Sequence, residues 1–244
     1  MSVDRFFKAG AALAVFVLIV VTASLSNTRV AKALDDDDNE SDESKIRRGF
    51  EIAPVHLNLQ GKNRELVGLG SYIVNAVGDC NGCHSAGPAT EFLPGHNPYF
   101  LGQTEQINTA TYLGGGRDFG PYPAPNSPMH IISRNLTPDK TGRPEGGNSL
   151  AQFILIMQTG VDLDHLHPNC SATITTNCFP PVPPVNGDLL QIMRWPFFKN
   201  MTEHDLKAIY EYLSAVPCVA GPSKPSDLPP AAQYAFPALH NECN

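Results

Sequence analysis

Basic residues are scarce in this chain, which has 17 lysines and arginines against 24 aspartates and glutamates among 244 residues. Cleavage after Ala33 would leave 13 basic residues against 23 acidic ones, a net charge of about −10. Domains that bind nucleic acids present clusters of lysine and arginine to the phosphate backbone. The shortage of basic residues therefore argues against nucleic acid as a partner.

The sequence also lacks an internal repeat. Its 22 prolines and 20 glycines recur at no fixed period, which excludes collagen-like and solenoid architectures. With 42% hydrophobic residues, a chain of this length can bury one ordinary core. We therefore predict a single folded domain with long irregular connections.

One long uncharged apolar stretch is present, and it lies near the N-terminus. Two basic residues precede a run from 9 to 25 that contains no charge, a pattern typical of export signals. Cleavage after Ala23 or after Ala33 fits the small-residue rule, and an uncleaved membrane anchor is the alternative. We predict that residues 1–33 are a signal peptide or membrane anchor, and that the remainder is periplasmic or otherwise extracytoplasmic.

The segment that follows has no apolar side chain to bury. Residues 35–44 are mostly acidic, and their mutual repulsion favours a solvated chain. We assign 34–60 to an acidic disordered linker and lead-in, and a docking arm for a basic partner is the alternative interpretation.

The chemistry is concentrated in one motif, Cys80-Asn81-Gly82-Cys83-His84. Two thiols one helical turn apart can add to the two vinyl groups of a haem, and the histidine that follows then lies beneath the iron. A zinc site would need a second pair of ligands at matching spacing, and a thioredoxin-like pair would need a strand–helix context. The sequence therefore predicts one covalently attached haem c, with His84 as an iron ligand.

Four further cysteines can form disulfides in an oxidising compartment. The simplest pairing joins Cys170 to Cys178 across a short loop and Cys218 to Cys243 across the C-terminal tail. The sequence leaves the other connectivities open.

Apolar residues at helical spacing predict three helices. The first covers Arg64–Cys80 and leads into the C-x-x-C-H motif. The second and third cover Ser149–Thr159 and Thr202–Val216, and each begins at a residue type that favours the N-cap. Residues 85–148 are rich in glycine and proline. We therefore predict an all-α fold in which long Gly- and Pro-rich loops wrap the haem.

Three stretches in this order resemble class I c-type cytochromes, in particular the haem domains of alcohol and sugar dehydrogenase complexes and related bacterial monohaem and dihaem cytochromes. The stretches are Leu69–Val74 ahead of C-x-x-C-H, Ser133–Asp139, and Met193–Leu213. The resemblance implies a cytochrome c fold over 61–217, followed by a Pro-rich, disulfide-tied tail over 218–244. It also implies an electron carrier, not an enzyme, that exchanges single electrons with a dehydrogenase, an oxidase or another cytochrome.

The resemblance also assigns the second iron ligand. Haem domains of this family carry Met-Pro-Tyr-Pro before the last helix, and Met193-Arg194-Trp195-Pro196 is similar to it. Met193 is therefore the expected ligand, although Arg194 stands where the family usually has proline. Met201 is the alternative candidate for the second iron ligand, and Met129 and Met157 are expected to lie in the core or in loops.

Tyr72 and Tyr210 are candidates to meet where the first and last helices cross.

Haem propionates need hydrogen-bond donors. By resemblance, Arg134, Asn135 and the indole of Trp195 are the candidates. The alternative is that Arg134 is a solvated loop residue and that Asn135 holds a turn.

Two other functions remain open: a haem enzyme or gas-binding protein whose distal site uses His130 or Arg194, and a haem-bearing module of a larger assembly.

Overall fold

The computed structural model describes residues 42–85, 88–122, 125, 130–163, 188–221 and 243. The chain divides into two units, Met1–Ser44 and Lys45–Asn244, and the fold described is that of the second unit. The expected signal or anchor (1–33) and the Cys170–Cys178 pair lie outside the described residues. Cys218 and Cys243 form the predicted disulfide.

The fold is mostly helical, as predicted, but it also contains a two-stranded sheet that we did not predict. The elements are α1 (residues 42–52, of which 45–52 belong to the second unit), α2 (Arg64–Tyr72), α3 (Cys80–His84), α4 (Pro88–Glu91), β1 (Asp118–Pro121), β2 (His130–Ile132), α5 (Pro144–Gly147), α6 (Leu150–Thr159), α7 (Trp195–Phe198) and α8 (Glu203–Leu213). In the part of the chain that is described, no helix has both the length and the apolar character needed to cross a membrane.

Helix α2 lies between two other helices. On one side, Gly49 of α1 approaches so closely that a Cβ there would stand 1.9 Å from the carbonyl oxygen of Gly68. On the other side, a Cβ at Gly70 would stand 1.9 Å from the carbonyl oxygen of Ala208 in α8. Residues two positions apart project from nearly opposite sides of a helix. Gly68 therefore allows the close approach of α1, and Gly70 allows that of α8. The resulting core includes Val67, Val74, Leu206, Ile209 and Leu213.

Helix α1 lies in the stretch that we assigned to linker and lead-in. Its C-terminal part is tied to α2 by the hydroxyl of Ser71, which donates to the carbonyl oxygen of Gly49 at 2.6 Å. The guanidinium of Arg64 also lies 4.5 Å from the centroid of the Phe50 ring. The folded unit therefore begins before residue 61, because glycines at 49 and 68 permit a close helix crossing.

The predicted helices form, with two differences at their ends. At the start of α6, the Ser149 hydroxyl accepts a hydrogen bond from the backbone N–H of Gln152, and the Gln152 side chain accepts one from the backbone N–H of Ser149. Gly160 ends α6 with a φ of 73°. The Thr202 side chain accepts a hydrogen bond from the backbone N–H of Asp205 at the start of α8, which ends three residues before the expected Val216. The first predicted helix is interrupted: α2 continues as a π-helical turn over Ile73–Val77, and Asp79 then adopts a left-handed conformation at φ 45°.

The two strands pair antiparallel with an irregular register, Asp118 opposite Ile132 and Pro121 opposite His130. The backbones of Gly116 and Arg117 extend the pairing to Ser133, through bonds of 2.9 Å each. The sheet corrects the all-α prediction. Its physical basis is the short β-branched segment after His130, which suits an extended conformation. The sheet leads directly into Arg134 at the candidate site.

Candidate cofactor site

The C-x-x-C-H motif forms the short helix α3. The left-handed residue Asp79 turns the chain into it, and the absence of a side chain at Gly82 makes room for the Asp79 carboxylate, since a Cβ at Gly82 would stand 2.7 Å from its Oδ2. Cys80 and Cys83 carry free thiols and are three positions apart on one helical turn, which places them on the same side. The short helix thus presents both thiols on one side, immediately before His84.

Neighbouring loops hold α3 in place. The buried Asn81 accepts a hydrogen bond through Oδ1 from the backbone N–H of Leu113 at 2.9 Å. The guanidinium of Arg117 donates to the carbonyl oxygen of Gly82 and lies 5.0 Å from the centroid of the Phe119 ring. We did not predict a role for Arg117, because nothing in the local sequence indicates a contact with a turn 35 residues away.

His84 is fixed in one tautomer. Its Nδ1 lies 2.7 Å from the carbonyl oxygen of Arg134, and a carbonyl can only accept, so Nδ1 carries the proton and Nε2 keeps its lone pair. Burial lowers the pKa of His84 to about 4, although the bond to the Arg134 carbonyl opposes this effect. At neutral pH the ring is therefore uncharged, which is the form that binds a metal. A histidine ligand whose other nitrogen donates to a carbonyl is a common arrangement in metal sites.

The two thiols are not activated nucleophiles. Burial raises the pKa of Cys80 to about 12, and the Asp79 carboxylate adds to this effect. Burial also raises the pKa of Cys83, although the nearby Arg117 opposes the increase. Reactive and redox-active cysteines have lowered pKa values. The geometry therefore gives no support to a thioredoxin-like pair.

An apolar cavity of about 400 Å³ opens beside α3. Cys80, Cys83 and His84 lie at its wall, and most of the remaining lining is aliphatic or aromatic, including Ile73, Ile132, Leu136, Phe153, Ile156 and Leu190. Cofactor pockets are typically about 300–1,000 Å³ in volume and mostly apolar. The size and lining of the cavity thus fit a large apolar ligand held at one edge by α3.

Met193, the ligand expected from resemblance, borders this cavity. Met157 of α6 and Met201, which precedes α8, border it too. Arg194 also borders it, and its guanidinium lies 4.5 Å from the centroid of the Phe197 ring. The structure therefore brings His84 and Met193 to one cavity and presents two further thioethers there.

The three expected propionate partners differ in their positions. Arg134 borders the cavity, and its Nη2 forms an ion pair with Asp162 while its Nη1 lies 4.0 Å from Oε1 of Glu145. It is therefore not a solvated loop residue, because only 12% of its side chain is exposed. We did not predict roles for Glu145 and Asp162, because they lie 11 and 28 positions from Arg134 along the chain and no local pattern marks them.

Asn135 and Trp195 do not border the cavity. The amide of Asn135 donates to the carbonyl oxygen of Val219 at 2.7 Å, and its Oδ1 accepts from the backbone N–H and the hydroxyl of Thr137. The indole of Trp195 donates to the carbonyl oxygen of Leu190 at 3.1 Å, and its ring packs on Gly160. Asn135 thus holds a turn, as the alternative interpretation had it, and Trp195 supports the loop before α7; a propionate role for either residue stays a prediction.

Among the described residues, no set of side chains forms a complete binding site for a bare metal ion. No group of three histidine, cysteine, aspartate or glutamate side chains converges there. His130, which the enzyme alternative would use, does not border the cavity, and its Nδ1 lies 2.8 Å from Oδ2 of Asp118. Besides carboxylates and the two thiols, the cavity wall holds one imidazole, that of His84, and three methionine side chains.

The chain matches no protein-family model, no curated protein and no solved structure. Functional assignment consequently rests on the residues at the cavity and on their geometry.

Proposed function

We propose that this chain is a c-type cytochrome with the cytochrome c fold. Within that class, we propose a monohaem electron carrier, not an enzyme. The observation that carries the proposal is the meeting of Cys80, Cys83 and a neutral, oriented His84 at the wall of one apolar cavity. A haem-attachment motif without such a cavity, or with a charged histidine, would not support it.

Four side chains would hold the group. Cys80 and Cys83 would each add S–H across one vinyl double bond, which forms two thioethers and loses no atom. His84 would bind the iron through Nε2 while the Arg134 carbonyl holds its Nδ1 proton. Met193, which borders the same cavity, would be the second protein ligand through its sulfur. The haem iron, once bound, supplies a centre that takes up and releases one electron.

The cavity walls favour electron transfer over catalysis. Ile132, Phe153 and Leu190 line the cavity and would shield the ligands from water once a haem fills it. If His84 and Met193 both bind the iron, no position remains for a substrate. Rigid packing around fixed ligands also reduces the structural change that accompanies a change of oxidation state.

We further propose that the carrier works on the periplasmic or outer face of a membrane, free or as a subunit of a respiratory or dehydrogenase complex. Its partners would be a dehydrogenase, an oxidase or another cytochrome. The uncharged run from 9 to 25 supports export, and it would tether the protein if it is retained.

The full chain, co-expressed with a cytochrome c maturation system, provides the test. We expect an intact mass increased by one haem and the spectrum of a low-spin centre in both oxidation states. The double variant Cys80→Ser/Cys83→Ser should lose the added mass, whereas Cys218→Ser/Cys243→Ser, which removes the disulfide, should keep it. Failure of the wild-type chain to gain a haem would overturn the proposal. High-spin reduced iron that binds carbon monoxide rapidly would instead favour the haem-enzyme or gas-binding alternative.

A further inference from the structure

Two carboxylates and one guanidinium meet in the mostly apolar wall of the cavity, which Asp79 and Arg194 also border. Arg134, Glu145 and Asp162 all border it, and their side chains are 12%, 7% and 11% exposed. Arg134 pairs with Asp162 through Nη2, and its Nη1 stands 4.0 Å from Glu145. Burying ionised groups costs free energy that an ion pair often fails to recover, so stability alone does not explain the cluster.

Three separate segments bring these residues together. Arg134 follows β2, Glu145 lies in α5, and Asp162 follows α6, where its backbone N–H donates to the carbonyl oxygen of Asp188 at 2.8 Å. Glu145 has a left-handed backbone at φ 54°, a conformation that is costly for a residue with a Cβ. The chain thus holds a carboxylate at the cavity wall in spite of both desolvation and backbone strain.

The cluster is connected to the candidate iron ligand. The same residue, Arg134, accepts the Nδ1 proton of His84 through its carbonyl oxygen at 2.7 Å. Arg134 thus links the charged cluster to the imidazole that would hold the iron.

We propose that Asp162 and Glu145 lower the reduction potential of the bound haem by stabilising its oxidised state. This inference rests on the proposed function. Oxidised haem carries one more positive charge than reduced haem, and a carboxylate in a wall of low dielectric interacts with that charge far more strongly than one in water. The two carboxylates thus oppose the tendency of a methionine ligand to favour the reduced iron, and they occupy the guanidinium that would otherwise face a propionate.

Potentiometric titration of the haem-loaded full chain provides the test, with variants that remove one charge and keep the shape. In Asp162→Asn, the ratio of reduced to oxidised protein at a fixed solution potential should rise about tenfold, an upward shift of about 59 mV for a one-electron couple. Glu145→Gln, which also removes one negative charge from the cavity wall, should shift the potential in the same direction. Asp162→Glu, which restores the charge, should return the potential toward that of the wild type.

Glu203→Gln is the matched control. Glu203 is exposed on α8 and pairs with Lys207 at 2.9 Å, so loss of its charge should leave the potential unchanged because solvent screens it. Unchanged potentials in both Asp162→Asn and Glu145→Gln, with haem attached, would overturn the inference and leave the electron carrier intact. If Asp162→Asn fails to bind haem, Glu145→Gln and Asp162→Glu decide the matter. A wild-type chain without haem would instead refute the proposed function itself.

Discussion

Gly70 of α2 lies directly on the backbone of Ala208 in α8, with the Tyr212 side chain beside it. A Cβ at residue 70 would stand 1.9 Å from the Ala208 carbonyl oxygen and 2.8 Å from the Cβ of Tyr212. Real side chains do not approach backbone so closely, and a backbone carbonyl in the middle of a helix has little freedom to move. The crossing of α2 and α8, which closes the core beside the cavity, thus depends on glycine at this position.

Gly70→Ala should therefore separate α2 from α8 and destabilise the haem-loaded protein by about 1–3 kcal/mol, the usual cost of overpacking. Urea denaturation followed by far-UV circular dichroism measures the change. Lys207→Ala, on the exposed side of α8, should change the free energy of unfolding by less than about 0.5 kcal/mol. Equal stabilities for Gly70→Ala and the wild type would contradict the close crossing.

A second prediction concerns three polar groups buried behind this crossing. The Tyr112 hydroxyl donates to Oδ1 of Asn75 at 2.5 Å and lies 2.8 Å from the Tyr212 hydroxyl, while the Asn75 amide lies 3.2 Å from that same hydroxyl. Tyr112→Phe would leave Oδ1 of Asn75 without the Tyr112 donor and would leave the buried Tyr212 hydroxyl with its bond from the Asn75 amide alone. We therefore expect a loss of about 1–3 kcal/mol in the free energy of unfolding.

The same substitution at an exposed site is the control for Tyr112→Phe. The side chain of Tyr99 is 86% exposed, and Tyr99→Phe should leave the urea midpoint almost unchanged. Similar urea midpoints for Tyr112→Phe and Tyr99→Phe would show that the buried hydroxyl contributes no more to the stability of the fold than an exposed one does.

The residues predicted correctly from the sequence are those governed by local rules. Ser149, Gly160 and Thr202 mark helix ends because capping depends on neighbours within a few positions. The C-x-x-C-H motif places its three residues at the cavity because one helical turn sets their spacing.

The missed features depend on distant parts of the chain. Tyr210 and Tyr212 both lie on α8. Tyr212 lies at the Gly70 crossing, whereas the Tyr210 hydroxyl donates to the Asn148 carbonyl oxygen at 2.9 Å. This corrects the expected contact of Tyr210 with Tyr72. Only the helix crossing angle decides which tyrosine is buried. The pairing of Arg134 with Asp162 likewise requires two loops to meet, and no spacing in the sequence encodes that.

The third prediction is a pH dependence that originates at His84. Its folded-state pKa of about 4 lies below the ordinary value of about 6.5 that applies when the chain is unfolded. The unfolded chain therefore binds more protons between these values, and the free energy of unfolding falls as the pH falls from 6.5 toward 4. One proton corresponds to a slope of about 1.4 kcal/mol per pH unit, and iron bound at Nε2 would extend the window to lower pH.

Urea denaturation of the chain expressed without a cytochrome c maturation system, in which no iron occupies Nε2 of His84, measures this slope at several pH values between 6.5 and 5, where most carboxylates remain ionised. His204 is exposed on α8, so His204→Gln should retain the slope of the wild type. A free energy of unfolding that stays constant across this range would contradict a neutral, buried His84.

The fourth prediction separates the three methionines at the cavity. Met193→Leu removes the sulfur and keeps the apolar volume, so the haem-loaded protein should lose the weak methionine–iron charge-transfer band at the red end of the visible spectrum. It should also bind carbon monoxide in the reduced state, because the position opposite His84 becomes open. Met157→Leu and Met201→Leu make the same chemical change at residues that border the same cavity, and both should retain the band and exclude carbon monoxide. Loss of the band in Met201→Leu with its retention in Met193→Leu would transfer the ligand role to Met201, and would show that the departure at Arg194 changes the loop more than the resemblance implies.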